Sequence, residues 1–129
     1  MTLTPINSGW IEVICGSMFS GKTEELIRRI RRAQIAKMST AIFKPKIDSR
    51  FSTKHIVSHN KEKMVSHVIK NPSDILKLGL KNKVIGIDEA QFFDDSLIEI
   101  SRKLASKGKR VIVAGLDTDY RGSPFGPMP

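Results

Sequence analysis

The stretch "CGSMFSGKT", residues 15 to 23, decides the fold of this chain of 129 residues. Its Gly16, Gly21, Lys22 and Thr23 fit the phosphate-loop pattern GxxxxGK[ST]. In such a loop successive backbone N–H groups surround a phosphate, and glycine lets the backbone approach the anionic oxygens closely. The lysine contacts the β- and γ-phosphates, and the Ser/Thr hydroxyl is a ligand of Mg²⁺. We therefore expect Lys22 and Thr23 to bind a nucleoside triphosphate and its magnesium ion.

The segments around this loop have the patterns of strands and helices. "WIEVIC" (10–15) is a short apolar run that ends at glycine, and apolar residues recur at helical spacing from Thr23 to about Met38. "KVIGID" (83–88) and "RVIVAG" (110–115) are typical of strands buried on both faces of a parallel sheet. The other expected elements are a strand at 40–46, a loop followed by a hairpin or irregular flap at 48–68, a helix at 71–80 that starts with Asn71 and Pro72, and a helix at 96–107 capped by Asp94 or Asp95 and followed by Gly108. This order predicts one α/β nucleotide-binding domain over residues 1–129, with a parallel sheet flanked by helices.

Two adjacent acids follow the predicted strand "KVIGID". Asp88 stands at its carboxyl end, where an aspartate can hold Mg²⁺ opposite the phosphate loop. Glu89 comes next and is a candidate general base, able to take a proton from an attacking hydroxyl or water. If water attacks, a switch or motor results. If a small alcohol attacks, an apolar pocket should adjoin Glu89, and Met18, Phe92, Phe93, Leu116, Tyr120 and Phe125 could supply it.

Composition narrows the class of protein further. No apolar stretch approaches the roughly 20 residues of a membrane helix, and the N-terminus has no secretory pattern, so we expect a cytoplasmic protein without a membrane partner. Cys15 is the only cysteine, which excludes an internal disulfide and a cysteine-based zinc site in this chain. The net charge of +9 arises between Lys22 and Lys70. Such a basic segment fits nucleotides, nucleic acid or an acidic partner, or a solvated lysine-rich face.

Four segments together resemble the type II thymidine kinases, a family with a RecA-like P-loop domain. They are "GSMFSGKTEELIRRIRRAQIAK" (16–37), "DSRFS" (48–52), "IGIDEAQFF" (85–93) and "GLDTDYRGSPFGPM" (115–128). The similarity runs from about Trp10 to the last residue. It implies ATP-dependent transfer of a phosphoryl group to the 5′-hydroxyl of thymidine or deoxyuridine, in nucleotide salvage for DNA synthesis. It also implies a homo-oligomer, a tetramer in the family, with no nucleic-acid partner.

The resemblance implies a role for individual positions. Glu89 matches the family's general base, Arg50 would lie near the transferred charge, and Thr23 and Asp88 would hold Mg²⁺. The nucleotide-binding positions are Gly16, Ser17, Met18, Phe19, Ser20, Gly21, Lys22, Thr23, Asp48, Ser49, Arg50, Asp88, Glu89, Ala90 and Gln91. The positions around the nucleoside are Met18, Phe92, Leu116, Tyr120 and Phe125, and Tyr120 replaces the phenylalanine of many members.

One feature of the family is not matched. Its zinc-binding lobe and the lasso-like loop that reads thymine have no counterpart in these 129 residues, so we expect the activity of the short chain to be impaired. Two other readings stay open: a RecA- or helicase-like ATPase in which Glu89 activates water and the basic segment binds nucleic acid, and an inert nucleotide-binding fragment.

Overall fold

The protein forms a five-stranded parallel sheet with helices on both faces, as seen in a computed structural model that describes residues 9–16, 21–46, 55–57 and 63–116. The strands are β1 (Trp10–Gly16), β2 (Thr40–Pro45), β3 (His55–Val57), β4 (Lys63–Val65), β5 (His67–Ile69), β6 (Val84–Ile87) and β7 (Arg110–Leu116). The order in the sheet is β1-β7-β6-β2-β5, while β3 and β4 form a separate antiparallel pair. Every adjacent pair in the larger sheet is parallel, so the carboxyl ends of its strands share one edge.

Different helices cover the two faces of the sheet. They are α1 (Lys22–Ile35), α2 (Ser73–Gly79) and α3 (Ser96–Ser106), and a 3-10 turn spans Ala90–Phe92. One face of the sheet packs against α1 through a cluster that contains Leu26, Ile27, Ile30, Ala33, Ile42, Val84, Ile112 and Ala114. The opposite face packs against α2 and α3. The predicted α/β, RecA-like fold is confirmed, because each amphipathic helix buries its apolar stripe on one side of a sheet that is apolar on both.

Close packing of α1 on β6 brings the phosphate-loop helix near Asp88. Gly86 lies in the middle of β6, and a Cβ atom there would lie 3.1 Å from Leu26 Cδ1 and 3.2 Å from Ile30 Cδ1. The missing side chain therefore lets α1 approach the strand that ends at Asp88.

The short strand β5 was not predicted as part of the main sheet. We expected a hairpin or flap within 48–68, and β3–β4 is that hairpin, but His67–Ile69 pairs in parallel with β2. The alternation in "KMVSHVI" fits either arrangement, since the side-chain period of two is the same in both. Residues 48–54 and 58–62 of the predicted flap lie outside the described residues.

The helix ends differ from the predicted ones by a few residues. α2 begins at Ser73, one residue later than predicted, and Pro72 stands at its N-cap; Asn71 Oδ1 accepts a hydrogen bond from the Ser73 N–H at 3.2 Å. Before α3 the side chain that accepts the first N–H is that of Asp94, at 2.9 Å from Ser96 N. Gly108 follows α3 with φ 84°, as predicted for a glycine that ends a helix. None of the described helices has the length and apolar character needed to cross a bilayer.

Candidate active site

The phosphate loop lies between β1 and α1, and its two glycines stand at the junctions with these elements. Gly16 ends β1 with φ 154°, and Gly21 precedes α1 in the left-handed conformation, with φ 80° and ψ 22°. Glycine adopts these angles without strain, which explains both glycines of the motif. Lys22 and Thr23 are the first two residues of α1, so both lie at its positive N-terminal end.

Asp88 follows β6 and is buried, with only 5% of its surface exposed. The Thr23 hydroxyl donates to its carboxylate, with Oγ1 3.2 Å from Oδ2 and 3.4 Å from Oδ1. The Glu89 N–H also donates, at 3.0 Å to Oδ1. Burial, and then the negative charge of Glu89, raise the pKa of Asp88 from its ordinary value of 3.8 to about 6. The protein thus holds a carboxylate whose negative charge its own hydrogen bonds only partly compensate.

The Thr23 hydroxyl and the Asp88 carboxylate fit a magnesium ion. Both are hard oxygen donors, they come from facing elements, and Mg²⁺ commonly takes one or two carboxylates together with phosphate and water oxygens. Within the described ranges no three His, Cys, Asp or Glu side chains are grouped so that they could hold a metal ion. A magnesium ion at Asp88 would take further ligands from phosphate and water oxygens.

Glu89 has a backbone conformation that is unusual for a residue other than glycine, and the chain turns at this position. Its φ of 52° and ψ of 39° are left-handed, which costs a non-glycine residue about 1 kcal/mol or more and is concentrated at functional sites. The chain then enters the 3-10 turn, and the Gln91 side chain returns to donate from Nε2 to Glu89 Oε2 at 3.0 Å. Ala90 is fully buried beneath this turn.

Comparison with known proteins assigns the chain to a family. The thymidine kinase family model matches residues 9–129. The chain belongs to the thymidine kinase family. It is 56% identical over 124 residues, or 96% of its length, to the curated thymidine kinases of Porphyromonas gingivalis strains ATCC 33277 and W83. It spans 61% of the length of each of these relatives. The resemblance found in the sequence is thus confirmed as membership.

Several site positions of this thymidine kinase family member lie outside the described residues. They are Ser17, Met18, Phe19, Ser20, Asp48, Ser49, Arg50, Tyr120 and Phe125. Leu116 ends β7 directly beside Gly16, so its backbone lies at the same edge of the sheet as the phosphate loop. Phe92 follows Glu89 closely in the chain and is 46% exposed, whereas Phe93 is 5% exposed and belongs to the core. Of the two adjacent phenylalanines, only Phe92 therefore offers a surface to a ligand.

Lys44 is a neighbour of the two acids that the sequence analysis missed. Phe43 pairs with Ile87, and the Asp88 N–H donates to the Phe43 carbonyl at 2.8 Å, so the next residue of β2 lies beside Asp88. Burial lowers the pKa of Lys44, while the charges of Asp88 and Glu89 oppose that change. In the sequence, the only signal was a lysine inside an otherwise apolar strand, "AIFKP".

Proposed function

We propose that the protein is a thymidine kinase that transfers the γ-phosphoryl group of ATP to the 5′-hydroxyl of thymidine or deoxyuridine. The observation that carries this proposal is the contact between Thr23 and Asp88, 3.2 Å apart, with Glu89 next to it. Binding of phosphate and acceptance of a proton can thus occur at one edge of the sheet. The high identity to curated thymidine kinases supports the choice of reaction.

The first part of the mechanism is the binding of the phosphates. The backbone N–H groups of the phosphate loop and the Lys22 ammonium bind the β- and γ-phosphates, and the N-terminal end of α1 adds its positive potential. Thr23 and Asp88 would hold Mg²⁺, which neutralises charge on the phosphate oxygens when it is bound. Gly16 to Thr23, together with Asp48, Ser49, Arg50 and residues 88–91, would form the nucleotide site, with Arg50 near the transferred group.

The second part is the removal of the proton from the acceptor alcohol. Glu89 accepts the 5′-hydroxyl proton while the 5′-oxygen forms a bond to the γ-phosphorus, and the bond from that phosphorus to the β–γ bridging oxygen breaks. ADP leaves, and the proton remains on Glu89 until solvent takes it. We propose that Met18, Phe92, Leu116, Tyr120 and Phe125 surround the nucleoside and keep it in line with the phosphate.

The proposal extends to the assembly and the location of the protein. We propose a homo-oligomer, a tetramer as in the family, that works in the cytoplasm on nucleoside and ATP. In this proposal the exposed face of α1, which carries Arg28, Arg31 and Arg32, contacts another subunit.

The test measures ADP release by the complete gene product with ATP alone, with added thymidine and with added single-stranded DNA. Thymidine should stimulate ADP release in step with formation of thymidine monophosphate, and DNA should leave the rate unchanged. Stimulation by DNA and not by thymidine would replace the proposal with a nucleic-acid-dependent ATPase.

A further inference from the structure

We propose that Gln91 is a positioning residue for Glu89: its side-chain amide fixes one carboxylate oxygen of the base and leaves the other for the acceptor hydroxyl. The inference rests on the proposed function, because it presumes that Glu89 accepts the proton. It goes beyond that function by giving a specific task to the side chain two residues after the base.

The first support is geometric. Gln91 Nε2 donates to Glu89 Oε2 at 3.0 Å, a normal length for a hydrogen bond to a carboxylate. The two residues are separated only by Ala90, and the left-handed backbone at Glu89 turns the chain so that their side chains meet. A glutamate held only by its backbone would sample several rotamers, and one of its oxygens is restrained here.

The second support is the burial of Gln91. Only 4% of its surface is exposed, although glutamine is mostly an exposed residue in folded proteins. A buried amide costs free energy unless it forms hydrogen bonds, so an apolar side chain would serve better if filling space were the only requirement here. The amide contacts the carboxylate that we assign as base, which connects its burial to catalysis.

The third support is the chemistry of the contact. Gln91 has no titratable group, so it can orient the carboxylate without exchanging a proton with it. A lysine or histidine at the same place could exchange one. A base needs such an arrangement because proton transfer requires the accepting oxygen at hydrogen-bond distance from the hydroxyl. The expected consequence of losing the amide is a slower chemical step with little change in nucleoside binding.

The experiment compares Gln91→Met with Gln34→Met in the complete gene product. Methionine has nearly the volume of glutamine but no donor, and Gln34 is exposed at the far end of α1, where its amide donates to Thr40 at 3.2 Å. For Gln91→Met we expect kcat to fall about 10- to 100-fold, the range for loss of a hydrogen bond to a charged group, with KM for thymidine within about threefold. Gln34→Met should behave as wild type.

A double variant separates positioning from a structural role. If Gln91 acts through Glu89, adding Gln91→Met to Glu89→Gln should slow the residual single-turnover rate no further. Should Gln91→Met not fold, as judged by its thermal unfolding, Gln91→Asn is used, because it keeps the amide but withdraws it by one methylene group.

The outcomes distinguish the two proposals. If wild type and Gln34→Met phosphorylate thymidine and folded Gln91 variants do so equally fast, the inference about Gln91 is wrong and the proposed function stands. A double variant slowed by the full factor of the single Gln91 variant also overturns it. If wild type does not phosphorylate thymidine, the proposed function fails and the inference fails with it.

Discussion

Glu12 of β1 and Glu25 of α1 form one pair of acids, and Asp88 and Glu89 at the carboxyl edge of the sheet form a second pair with different surroundings. Arg29 contacts both acids of the first pair, at 2.9 Å from Glu12 Oε1 and 2.9 Å from Glu25 Oε2. The second pair has no arginine partner within the described ranges. The two pairs of carboxylates therefore have different electrostatic surroundings: guanidinium groups around the first, and burial together with the neighbouring Lys44 around the second.

The pKa values follow these surroundings. Hydrogen bonds from Arg110 lower the pKa of Glu12, and those from Arg28 lower the pKa of Glu25 to about 2. Asp88 is the opposite case, because burial raises its pKa to about 6. The first pair holds β1, β7 and α1 together. The ionised Asp88 carboxylate lowers the free energy of unfolding of the ligand-free protein at neutral pH, and a bound cation would offset this effect. The arginine-paired acids thus stabilise the fold, and the contrast supports the proposal that the buried Asp88 binds a ligand.

Among these variants Glu89→Gln should have the largest effect, and that effect should be on catalysis. Glutamine keeps the shape but cannot accept the proton, so kcat should fall about 10²- to 10⁴-fold. Steady-state kinetics and titration of the variant with an ATP analogue should show intact nucleotide binding. Turnover at the wild-type rate would remove Glu89 from the mechanism.

Asp88→Asn should have the next largest effect, which should appear in how the free energy of unfolding depends on pH. Because the folded-state pKa is raised from 3.8 to about 6, the favourable contribution of protonated Asp88 to the free energy of unfolding is fully present below about pH 3.8. This contribution is lost as the pH rises through about 6. Without ligand at pH 7 the asparagine variant should therefore be more stable than wild type, by an amount on the order of 2 to 3 kcal/mol. Urea unfolding of both proteins between pH 4 and 8 tests this, and a variant less stable at every pH would contradict it.

Glu12→Gln should show the reverse behaviour. The carboxylate accepts hydrogen bonds from Arg29 at 2.9 Å and Arg110 at 3.0 Å and is only partly exposed, so its loss should cost about 1 to 2 kcal/mol. Since the pKa of Glu12 is lowered, its contribution exists above the unfolded-state pKa and is lost as pH falls. Chemical unfolding at pH 7 and pH 3 measures both effects. A large drop in kcat without a change in stability would show that this cluster is not purely structural.

Glu25→Gln should have the smallest effect of the series. Its partners Arg28 and Arg29 lie on the same helix, and such accessible pairs are screened by salt, so the loss should stay below about 1 kcal/mol. The contribution should vanish as pH falls from about 4.5 towards 2. Melting curves at low and at high salt test this, and a loss as large as that of Glu12→Gln would contradict the view that an ion pair within one helix contributes less than ion pairs between elements.

The sequence allowed the elements next to the site to be predicted, but not the contacts between them. Gly16 and Asp88 each end an apolar run, so the strands β1 and β6 and the meeting of their carboxyl ends followed from local pattern. The neighbourhood of Lys44 depends on the pairing of Phe43 with Ile87, which links distant parts of the chain. Such pairing is set by packing of the whole sheet and leaves no local signal.

Two further features depended on backbone detail. The left-handed conformation of Glu89 occurs in a non-glycine residue, where propensity gives no warning, and the hydrogen bond from Gln91 exists only because of that turn. The strand β5 has three residues, too few for periodicity to separate it from a hairpin.

The most direct measurement is the stabilisation that Mg²⁺ adds to the ADP complex of wild type and of Asp88→Asn. Urea unfolding of the complete gene product is followed with ADP plus Mg²⁺ and with ADP plus a chelator, at a concentration near 100 times Kd, where binding adds about 2.7 kcal/mol. The account predicts that Mg²⁺ stabilises the wild-type complex further, while Asp88→Asn starts from a higher ligand-free stability and gains little from the metal. An asparagine variant that is less stable than wild type without ligand, and that gains as much from Mg²⁺, would contradict the claim that Asp88 is held at a cost to bind the metal of the nucleotide.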